Sequence, residues 1–348
     1  MVSIADVAAR AGVSIATVSR VLNDSGYPVR PDTRQRVLDA VQELGFRPNA
    51  LARGLLLGQT RSVGLLIPDI TNPYYPQLSR GVEDVAAAHG YEVIFCNTDR
   101  DPAKTARYID VLLRKRVDGI IATGGVGSLA DTRVFAGSGT QLVLVGRHDL
   151  PSPSIQVDNV QLACNATRCL AALGHRTIAS IGGPRDLTSA HDRLVGYKLG
   201  LQESGLDWDG RLFREGAYSE VSGYAAMQSL LAGDTRPTAL FAANDRMAIG
   251  AMAATIDAGL DIPDDVSVIG CDNITAASYV RPSLTTIALP IYEMGVAAME
   301  TMLKLFASEV CPPVRVLPST LVMRQSTAPP RQGSHQQGER SGGDPGAA

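Results

Sequence analysis

The sequence predicts a small all-α helix-turn-helix domain followed by an α/β core of two doubly wound parallel-sheet lobes. Three observations predict this fold class. Short segments of helical periodicity, separated by turns, occupy residues 3–47. From Ser62 onward, short apolar runs alternate with helical stretches, which is the rhythm of parallel sheets with crossover helices. The chain of 348 residues is also longer than one hydrophobic core usually covers, so more than one domain is expected.

The first two predicted helices are short and are joined by a tight turn. Ser3 can cap a helix over Ile4–Ala11, whose apolar residues recur at helical spacing. Gly12 supplies the turn, and Ser14 can cap a second helix over Ile15–Leu22. Two short helices in this order indicate a helix-turn-helix motif.

A third helix is expected after a loop rich in Asn, Asp, Ser, Gly and Pro. We place its start at Asp32 or Thr33 and its end at Leu44, with Gly45 terminating it. Its apolar residues also recur at helical spacing, so one face can complete a three-helix core.

Seven apolar runs are expected to form the strands of the core. They are SVGLLI, YEVIFC, DGIIAT, QLVLV, TIASIG, TALFAA and VSVIG. Strands of this number fit two doubly wound lobes better than one sheet. We place the break between the lobes near Asp158–Leu162 and expect the segments from Leu284 to return across the junction.

These patterns divide the chain into four regions. They are a helix-turn-helix domain at 1–46, a linker at 47–61, a two-lobed domain at 62–328 and a disordered tail at 329–348. The lobes are expected at about 62–160 with 289–319, and at about 161–288 with 320–328. The tail is assigned because it consists largely of Pro, Gly, Gln and Ser without an apolar period.

Composition narrows the class of protein. Hydrophobic residues make up 45% and charged residues 19% of the chain, as in a globular protein. No apolar run approaches the roughly 20 residues of a membrane span, and no cationic stretch precedes an apolar one at the start. We therefore expect a cytoplasmic protein without a signal peptide. Five scattered cysteines without a CxxC pair, and the lack of phosphate-loop or metal-ligand motifs, predict neither a metal site nor a cofactor.

The second helix carries a polar edge that suits DNA. Residues 1–60 hold seven arginines and five acidic residues, a net charge of +2, whereas the whole chain has −3. In a helix-turn-helix, the first turns of the second helix enter the major groove. The contact edge would then consist of Ser14, Ile15, Ala16, Thr17, Ser19 and Arg20. Arg20 can bind guanine bidentately. On this fragment alone, an ordinary three-helix packing unit with a polar outer face is an equally good interpretation.

The order of motifs along the whole chain decides between these two interpretations. The stretch SIADVAARAGVSIATVSRVLN, followed by VRPDTRQRVLDAVQELGFRPNALARGL, resembles the DNA-binding head of the LacI/GalR family of bacterial repressors. The resemblance continues through SVGLLIPDITNPYY, LLRKRVDGII, LGHRTIASIGGP, AANDRMAIGAM, VSVIGCDN and PSLTTI. It covers about residues 2–327.

The resemblance implies how the head reads DNA. The positions that match the base-reading residues of the family are Ile15, Ala16 and Arg20, and those that match its backbone contacts are Thr17, Ser19, Asn23 and Thr33. The segment NALARGL matches the hinge helix, which lies in the minor groove, so that Asn49, Ala52, Arg53 and Leu55 are also expected to contact DNA. Leu55 falls where a leucine opens a central base step. Alternatively, the leucines of this segment dock onto the core domain.

The resemblance also implies a periplasmic-binding-protein-like core that holds an effector between its lobes. The matching positions are Asp69, Asn72, Tyr74, Tyr75 and Arg147 on the first lobe, and Ser189, Arg193, Tyr218, Asn244 and Asp272 on the second. Their chemistry suits a polyol, because Arg193 donates hydrogen bonds, Asp272 accepts them and the tyrosines stack on a ring. Arg193 and Asp272 can instead pair with each other. Gly146 stands where many relatives place Asp, so an acidic or phosphorylated sugar is also compatible with this site.

Two other functions are alternatives to an effector-controlled DNA-binding protein. A transport-type binding protein would share the two lobes, but the head and the expected lack of a signal peptide count against it. An enzyme of sugar or nucleotide metabolism would need catalytic or phosphate-binding motifs that the sequence does not show. We therefore predict a non-enzymatic, effector-controlled repressor of carbohydrate-utilisation genes.

The predicted partners are double-stranded operator DNA of near-palindromic sequence, a sugar-like effector and a second copy of the chain, with no membrane. Tetramers of the family are held by a leucine-rich C-terminal helix. The tail from Pro329 contains no Leu, Ile, Val or Met, so the chain is expected to form a homodimer and not a tetramer.

Overall fold

The computed structural model describes residues 2–22, 27–46, 59–124, 135, 137–148 and 150–331. The chain divides into two compact units, Met1–Arg61 with Arg116–Asp118 and Ser62–Lys115 with Gly119–Ala348. Among the described residues, no helix has the length and apolar character needed to cross a membrane.

The first unit contains three helices, α1 (Ile4–Ala11), α2 (Ile15–Leu22) and α3 (Pro31–Leu44). Ser3 caps α1 through a reciprocal capping box with Asp6. The turn to α2 passes through Gly12, whose φ of 65° lies in the left-handed region that favours glycine. The expected caps of the first two helices are thus confirmed.

The three helices enclose a small apolar core. Its buried members come from all three helices and are Val7, Ala8, Ala11, Val18, Val21, Val37 and Ala40. The third helix begins at Pro31, one residue before the predicted start. Proline is favourable in the first helical turn because the N–H that it lacks would have no partner inside the helix.

The second unit alternates strands and helices. Its elements are β1 (Ser62–Ile67), α4 (Tyr74–Ala88), β2 (Glu92–Asn97), α5 (Pro102–Arg114), β3 (Gly119–Thr123), β4 (Gln141–Val145), β5 (Ser154–Gln156), α6 (Asn159–Ala172), β6 (Ile178–Gly182), α7 (Thr188–Glu203), a 3₁₀ turn (Gly210–Leu212), β7 (Phe213–Glu215), α8 (Glu220–Leu231), β8 (Ala239–Ala242), α9 (Asp245–Asp257), β9 (Ser267–Asp272), α10 (Thr275–Tyr279), β10 (Thr285–Ala288), α11 (Ile291–Phe306), β11 (Val314–Val316) and β12 (Thr320–Val322).

These strands form two six-stranded sheets, one in each lobe. The order is β11-β5-β4-β3-β1-β2 in lobe 1 and β12-β10-β9-β8-β6-β7 in lobe 2. All pairs are parallel except β10 with β12. In each sheet the first strand lies between the second and the third, which creates a topological switch point where ligands bind in doubly wound folds.

The helices pack against the sheet of the lobe in which they lie. α6 packs against α7 of lobe 2, and α11 packs against α4 of lobe 1. The α4–α11 approach depends on Gly81 and Gly295, because a Cβ on Gly81 would lie 2.2 Å from the carbonyl oxygen of Tyr292. The chain passes from lobe 1 to lobe 2 after β5, returns to lobe 1 after β10 and passes to lobe 2 again between β11 and β12.

The seven predicted strands are present, with ends shifted by at most two residues. Five further strands were not predicted, namely β5, β7, β10, β11 and β12, each three or four residues long. The predicted tail also begins too early, because Arg331 forms ion pairs with Asp264 and Asp265 at 3.0 and 2.7 Å. The remainder of the tail lies outside the described residues.

Candidate functional site

The second helix of the head presents the predicted contact edge outward. Ser14, Ile15, Ala16 and Arg20 are exposed, Thr17 and Ser19 are half-buried, and the opposite face of α2 is buried through Val18 and Val21. Ile15 is 51% exposed, so its apolar side chain is accessible on the same edge.

Two polar residues of this edge also have structural roles. The backbone N–H of Thr17 donates to the Ser14 hydroxyl at 3.2 Å, so Ser14 caps α2. The guanidinium of Arg20 lies 5.0 Å from the ring centroid of Tyr27, in a cation–π contact that holds it at the surface.

The remaining predicted DNA contacts divide into two groups. Thr33 is half-buried in the first turn of α3. Asn23, Asn49, Ala52, Arg53 and Leu55 lie outside the described residues.

A cleft of about 100 Å³ lies between the lobes of the second unit, at the carboxyl ends of the strands of both sheets. Nine of the ten predicted effector-binding residues line it: Asn72, Tyr74, Tyr75, Arg147, Ser189, Arg193, Tyr218, Asn244 and Asp272. The parallel topology explains this convergence, because each of these residues lies at or shortly after the carboxyl end of a strand.

Asp69, the tenth predicted residue, does not line the cleft. Its Oδ1 accepts a hydrogen bond of 2.6 Å from the Thr71 hydroxyl, and its Oδ2 lies 3.6 Å from Nη1 of Arg246 in lobe 2. Arg246 is itself paired with Glu220 at 2.7 Å. Asp69 therefore contributes to a contact between the lobes beside the cleft.

Arg193 and Asp272 are the buried charged groups of the cleft. The Nε of Arg193 donates to Asn159 Oδ1 at 2.8 Å, and its Nη1 donates to the carbonyl oxygen of Ala243. Within the described residues, no ion pair joins Arg193 to Asp272, so the alternative in which they neutralise each other is not what the structure contains. Burial raises the pKa of Asp272 well above its usual value, and the charge of Arg193 opposes this rise.

Tyr218 and Asn244 differ in whether their polar side-chain atoms make hydrogen bonds within the protein. The hydroxyl of Tyr218 is buried and makes no hydrogen bond within the part of the chain that the structure describes. A buried hydroxyl without a partner is costly, and a ligand can satisfy it. The side chain of Asn244, by contrast, caps α9 by accepting from the Met247 N–H at 3.0 Å.

The two predicted tyrosines, Tyr74 and Tyr75, pack against each other at the N-terminus of α4. The rings of Tyr74 and Tyr75 meet edge to face, with centroids 5.0 Å apart. Burial raises the pKa of both hydroxyls, so both remain protonated donors.

Arg147 joins the two lobes. Its Nε and Nη2 donate to the two carboxylate oxygens of Asp192 at 2.8 and 2.7 Å, and its carbonyl oxygen accepts from the Thr188 hydroxyl at 2.8 Å. A bidentate pair of this kind fixes both partners.

The described residues contain no cluster of side chains that could hold a metal ion.

Comparison with known proteins places the chain in a family. Residues 3–49 match the model of bacterial regulatory proteins of the lacI family, and residues 167–327 match a periplasmic binding protein-like domain. Catabolite control protein A of Priestia megaterium is 40% identical over 331 residues, which cover 94% of this chain and 99% of that protein. The chain belongs to the LacI family.

Other members of the family support this assignment over the full length. The ribose operon repressor of Halalkalibacterium halodurans is 36% identical over 331 residues, covering 94% of this chain and 97% of that protein. The lac repressor dimer bound to operator and an anti-inducer superposes with a TM-score of 0.86 at 30% identity, over 94% of this chain and 99% of that one. The predicted family and fold class are confirmed, and this LacI-family chain is a DNA-binding transcriptional regulator.

Sequence reasoning missed several residues that line the cleft of this LacI-family regulator or contact its lining. They include Arg100, Thr123, Asn159, Thr188 and Asp192. Arg100 follows β2 as Asn72 follows β1, so the rule that cleft residues follow parallel strands could have identified it.

Proposed function

We propose that this regulator binds a near-palindromic operator as a homodimer and represses genes of carbohydrate use. A small sugar or polyol held between its lobes controls the affinity for the operator. The observation that carries the proposal is the polar cleft, which contains a buried guanidinium, a buried carboxyl and a buried tyrosine hydroxyl, in a chain whose other unit is a helix-turn-helix.

The cleft chemistry favours a hydroxylated ligand. Arg193 donates hydrogen bonds, Asp272 accepts them, and Tyr218 can do both. The volume of about 100 Å³ is below the roughly 300–1,000 Å³ of pockets for drug-sized ligands, so the effector is a small molecule. The lac repressor in complex with operator and anti-inducer, and a repressor named for a ribose operon, support both the DNA partner and the sugar class.

We also propose that the protein acts in the cytoplasm and does not catalyse a reaction. The cleft groups are suited to hold hydroxyls, and three of them, Asn159, Arg193 and Asn244, are fixed by bonds to the protein. A regulator needs its effector released unchanged. The purified chain is therefore expected to return any bound sugar unaltered, which chromatography of the released ligand can check.

The experiment that tests the effector proposal is a thermal-shift screen of the full chain with neutral sugars, sugar acids and sugar phosphates. Binding to the folded state alone stabilises it by about 2.7 kcal/mol at a hundredfold excess over Kd. For each hit, affinity is then measured for an operator selected from random duplex DNA. We expect at least one hit to change operator affinity, by about 1–3 kcal/mol.

Asp272→Asn and Asp207→Asn form a matched pair for this experiment. Asp272 lines the cleft, whereas Asp207 is exposed on lobe 2 and does not. Asp272→Asn should abolish the response to effector and retain operator binding, and Asp207→Asn should behave as wild type. If Asp272→Asn responds to the effector with wild-type affinity, the cleft is not the effector site.

A further inference from the structure

Arg100 is an exposed residue at the edge of the cleft, and its guanidinium has no carboxylate partner among the residues that the structure describes. It follows β2 in the loop before α5 and lines the cleft. Within the described residues, no carboxylate lies within ion-pair distance of its guanidinium, although acidic residues flank it on both sides along the chain.

The loop that carries Arg100 uses its acidic residues for its own structure. Asp99 accepts from the Asn97 amide at 2.5 Å and forms an ion pair with Lys104. Asp101 caps α5 by accepting from the backbone of Ala103 at 2.8 Å. Both neighbouring carboxylates are thus engaged, and the Arg100 guanidinium remains directed to the cleft.

The backbone of this loop is held in an uncommon conformation. Asp99 and Arg100 both have positive φ, 54° and 56°, in the left-handed region that non-glycine residues rarely adopt. Two such residues in succession persist only where the surroundings fix them, and strain of this kind concentrates at ligand sites. The guanidinium carbon of Arg100 lies 5.6 Å from the ring centroid of Tyr218, whose ring also lines the cleft.

A second guanidinium in the cleft, that of Arg193, has only neutral hydrogen-bond acceptors among the described residues. Arg193 is 7% exposed and donates to the Asn159 side chain and the Ala243 carbonyl. A buried cation without an anionic partner is strongly unfavourable. Arg147 is different, because Asp192 neutralises it through two hydrogen bonds.

The charges of the cleft therefore favour an anion. Within the described part of the chain, neither the exposed Arg100 nor the buried Arg193 has an ion-pair partner, and Asp272 is the single carboxylate that lines the cleft. We propose that the effector carries an oxyanion, a carboxylate or a phosphate, and that Arg100 together with Tyr75 and Tyr218 selects it. This inference rests on the proposed effector function and specifies its ligand class. Arg100 would bind the oxyanion through its planar donor fork, while Arg193 and Asp272 bind hydroxyls.

Matched ligands test the proposal on the full chain. Calorimetric titrations compare glucose with gluconate and glucose 6-phosphate, galactose with galacturonate, and ribose with ribose 5-phosphate. We expect the anionic member of at least one set to bind ten times or more tightly than its neutral counterpart. Its affinity should fall at least threefold between 50 and 500 mM salt, since salt screens the charge interaction. Binding by the acid or by the phosphate alone identifies which oxyanion the cleft takes.

Arg100→Gln and Arg107→Gln separate a cleft role from a loss of surface charge. Arg107 is exposed on α5, where it lies over the ring of Tyr108 and does not line the cleft. Arg100→Gln should lose at least tenfold in affinity for the anion, with the melting temperature of the unliganded protein unchanged. Arg100→Lys should recover part of the loss, and Arg107→Gln should bind as wild type.

Three outcomes would overturn the proposal. If neutral sugars bind as tightly as their acids and phosphates, the oxyanion is wrong while the effector function stands. If an anion binds preferentially but Arg100→Gln leaves its affinity unchanged, Arg100 is not the selecting residue. If no member of any set binds, both this proposal and the sugar-type effector fail.

Discussion

The arginines of this chain show that position decides what a guanidinium does. Arg20 is exposed on the ring of Tyr27, Arg147 is neutralised by Asp192 between the lobes, and Arg193 is buried against neutral acceptors. The same side chain is therefore available for DNA, fixed in an ion pair, or available for a ligand, according to its partners.

At the scale of single residues, Arg20→Ala is expected to weaken specific operator binding by about 1–3 kcal/mol and to change nonspecific binding little, because the bidentate contact to guanine is lost. Fluorescence anisotropy with selected operator and scrambled duplex measures both affinities. Arg20→Lys keeps the charge and loses the planar fork, so it should lose most of the same specificity. An equal loss on both duplexes would instead make Arg20 a phosphate contact.

Single residues were also where sequence reasoning was least complete. Arg100 lies in NTDRDPAK, a charged stretch typical of solvated surface, and in the structure it is exposed but also lines the cleft. Asp192 lies within a helix, and its partner Arg147 on lobe 1 is distant in sequence. Asp69 is close in sequence to the cleft residue Asn72, but its carboxylate faces Arg246 of lobe 2 instead of the cleft. Long-range pairing of this kind has no local sequence signal.

At the scale of elements, length and apolar character together separate the strands that the sequence predicted from those that it did not, since β10 has four residues but begins with two threonines. The strands of four to six residues with continuous apolar character were predicted. β11 and β12 have three residues each, and all three residues of β11 are exposed, so hydrophobic periodicity does not reveal them. They are defined by pairing with strands far away in the sequence, β5 and β10.

The N-terminus of α9 is expected to make stability depend on pH. Asp245 is buried there, accepting from the Thr286 hydroxyl at 2.5 Å and the Ile274 N–H at 2.8 Å, and burial raises its pKa to about 6. Because the folded state holds this proton more tightly, the stabilisation is complete below the unfolded pKa of about 4 and is lost as pH rises through about 6.

Asp245→Asn removes this titration and keeps both hydrogen bonds, since an amide can accept from Ile274 and donate to the Thr286 oxygen. Urea unfolding from pH 4 to pH 7 should show wild type losing about 2 kcal/mol relative to the variant as pH rises. A difference between the two proteins that does not change with pH would mean that Asp245 keeps one protonation state throughout.

At the scale of the whole molecule, the end of the core is set by Arg331. Its ion pairs with Asp264 and Asp265 are exposed, and such pairs contribute about 0–1 kcal/mol each. Removal of residues 332–348 keeps Arg331 and both ion pairs, so it is expected to leave the melting temperature, the sedimentation coefficient expected of a dimer and the operator affinity unchanged. A monomer after truncation would show that the removed residues take part in dimerisation and would contradict this expectation.

The last prediction concerns the equilibrium between closed and open lobes. The bidentate pair of Arg147 with Asp192 spans the cleft, and the Asp192 side chain is only 12% exposed. Asp192→Asn removes the charge from one partner and leaves a donor opposite a donor, which should destabilise the closed lobes by about 1 kcal/mol. An effector that binds between closed lobes would then bind about fivefold more weakly, because it must supply the lost free energy of closure.

Glu203→Gln is the matched control for this prediction. Glu203 lies on the same helix, α7, but its ion pair with Arg168 at 3.2 Å is contained in lobe 2. Calorimetry should show weaker effector binding for Asp192→Asn and wild-type binding for Glu203→Gln, and small-angle scattering should show a larger radius of gyration for the first variant alone. Because coupling between effector and operator is reciprocal, the effect of operator on effector affinity must equal the effect of effector on operator affinity in each variant. If the two variants bind effector equally well, the Arg147–Asp192 pair does not hold the lobes closed, and closure must depend on the effector itself.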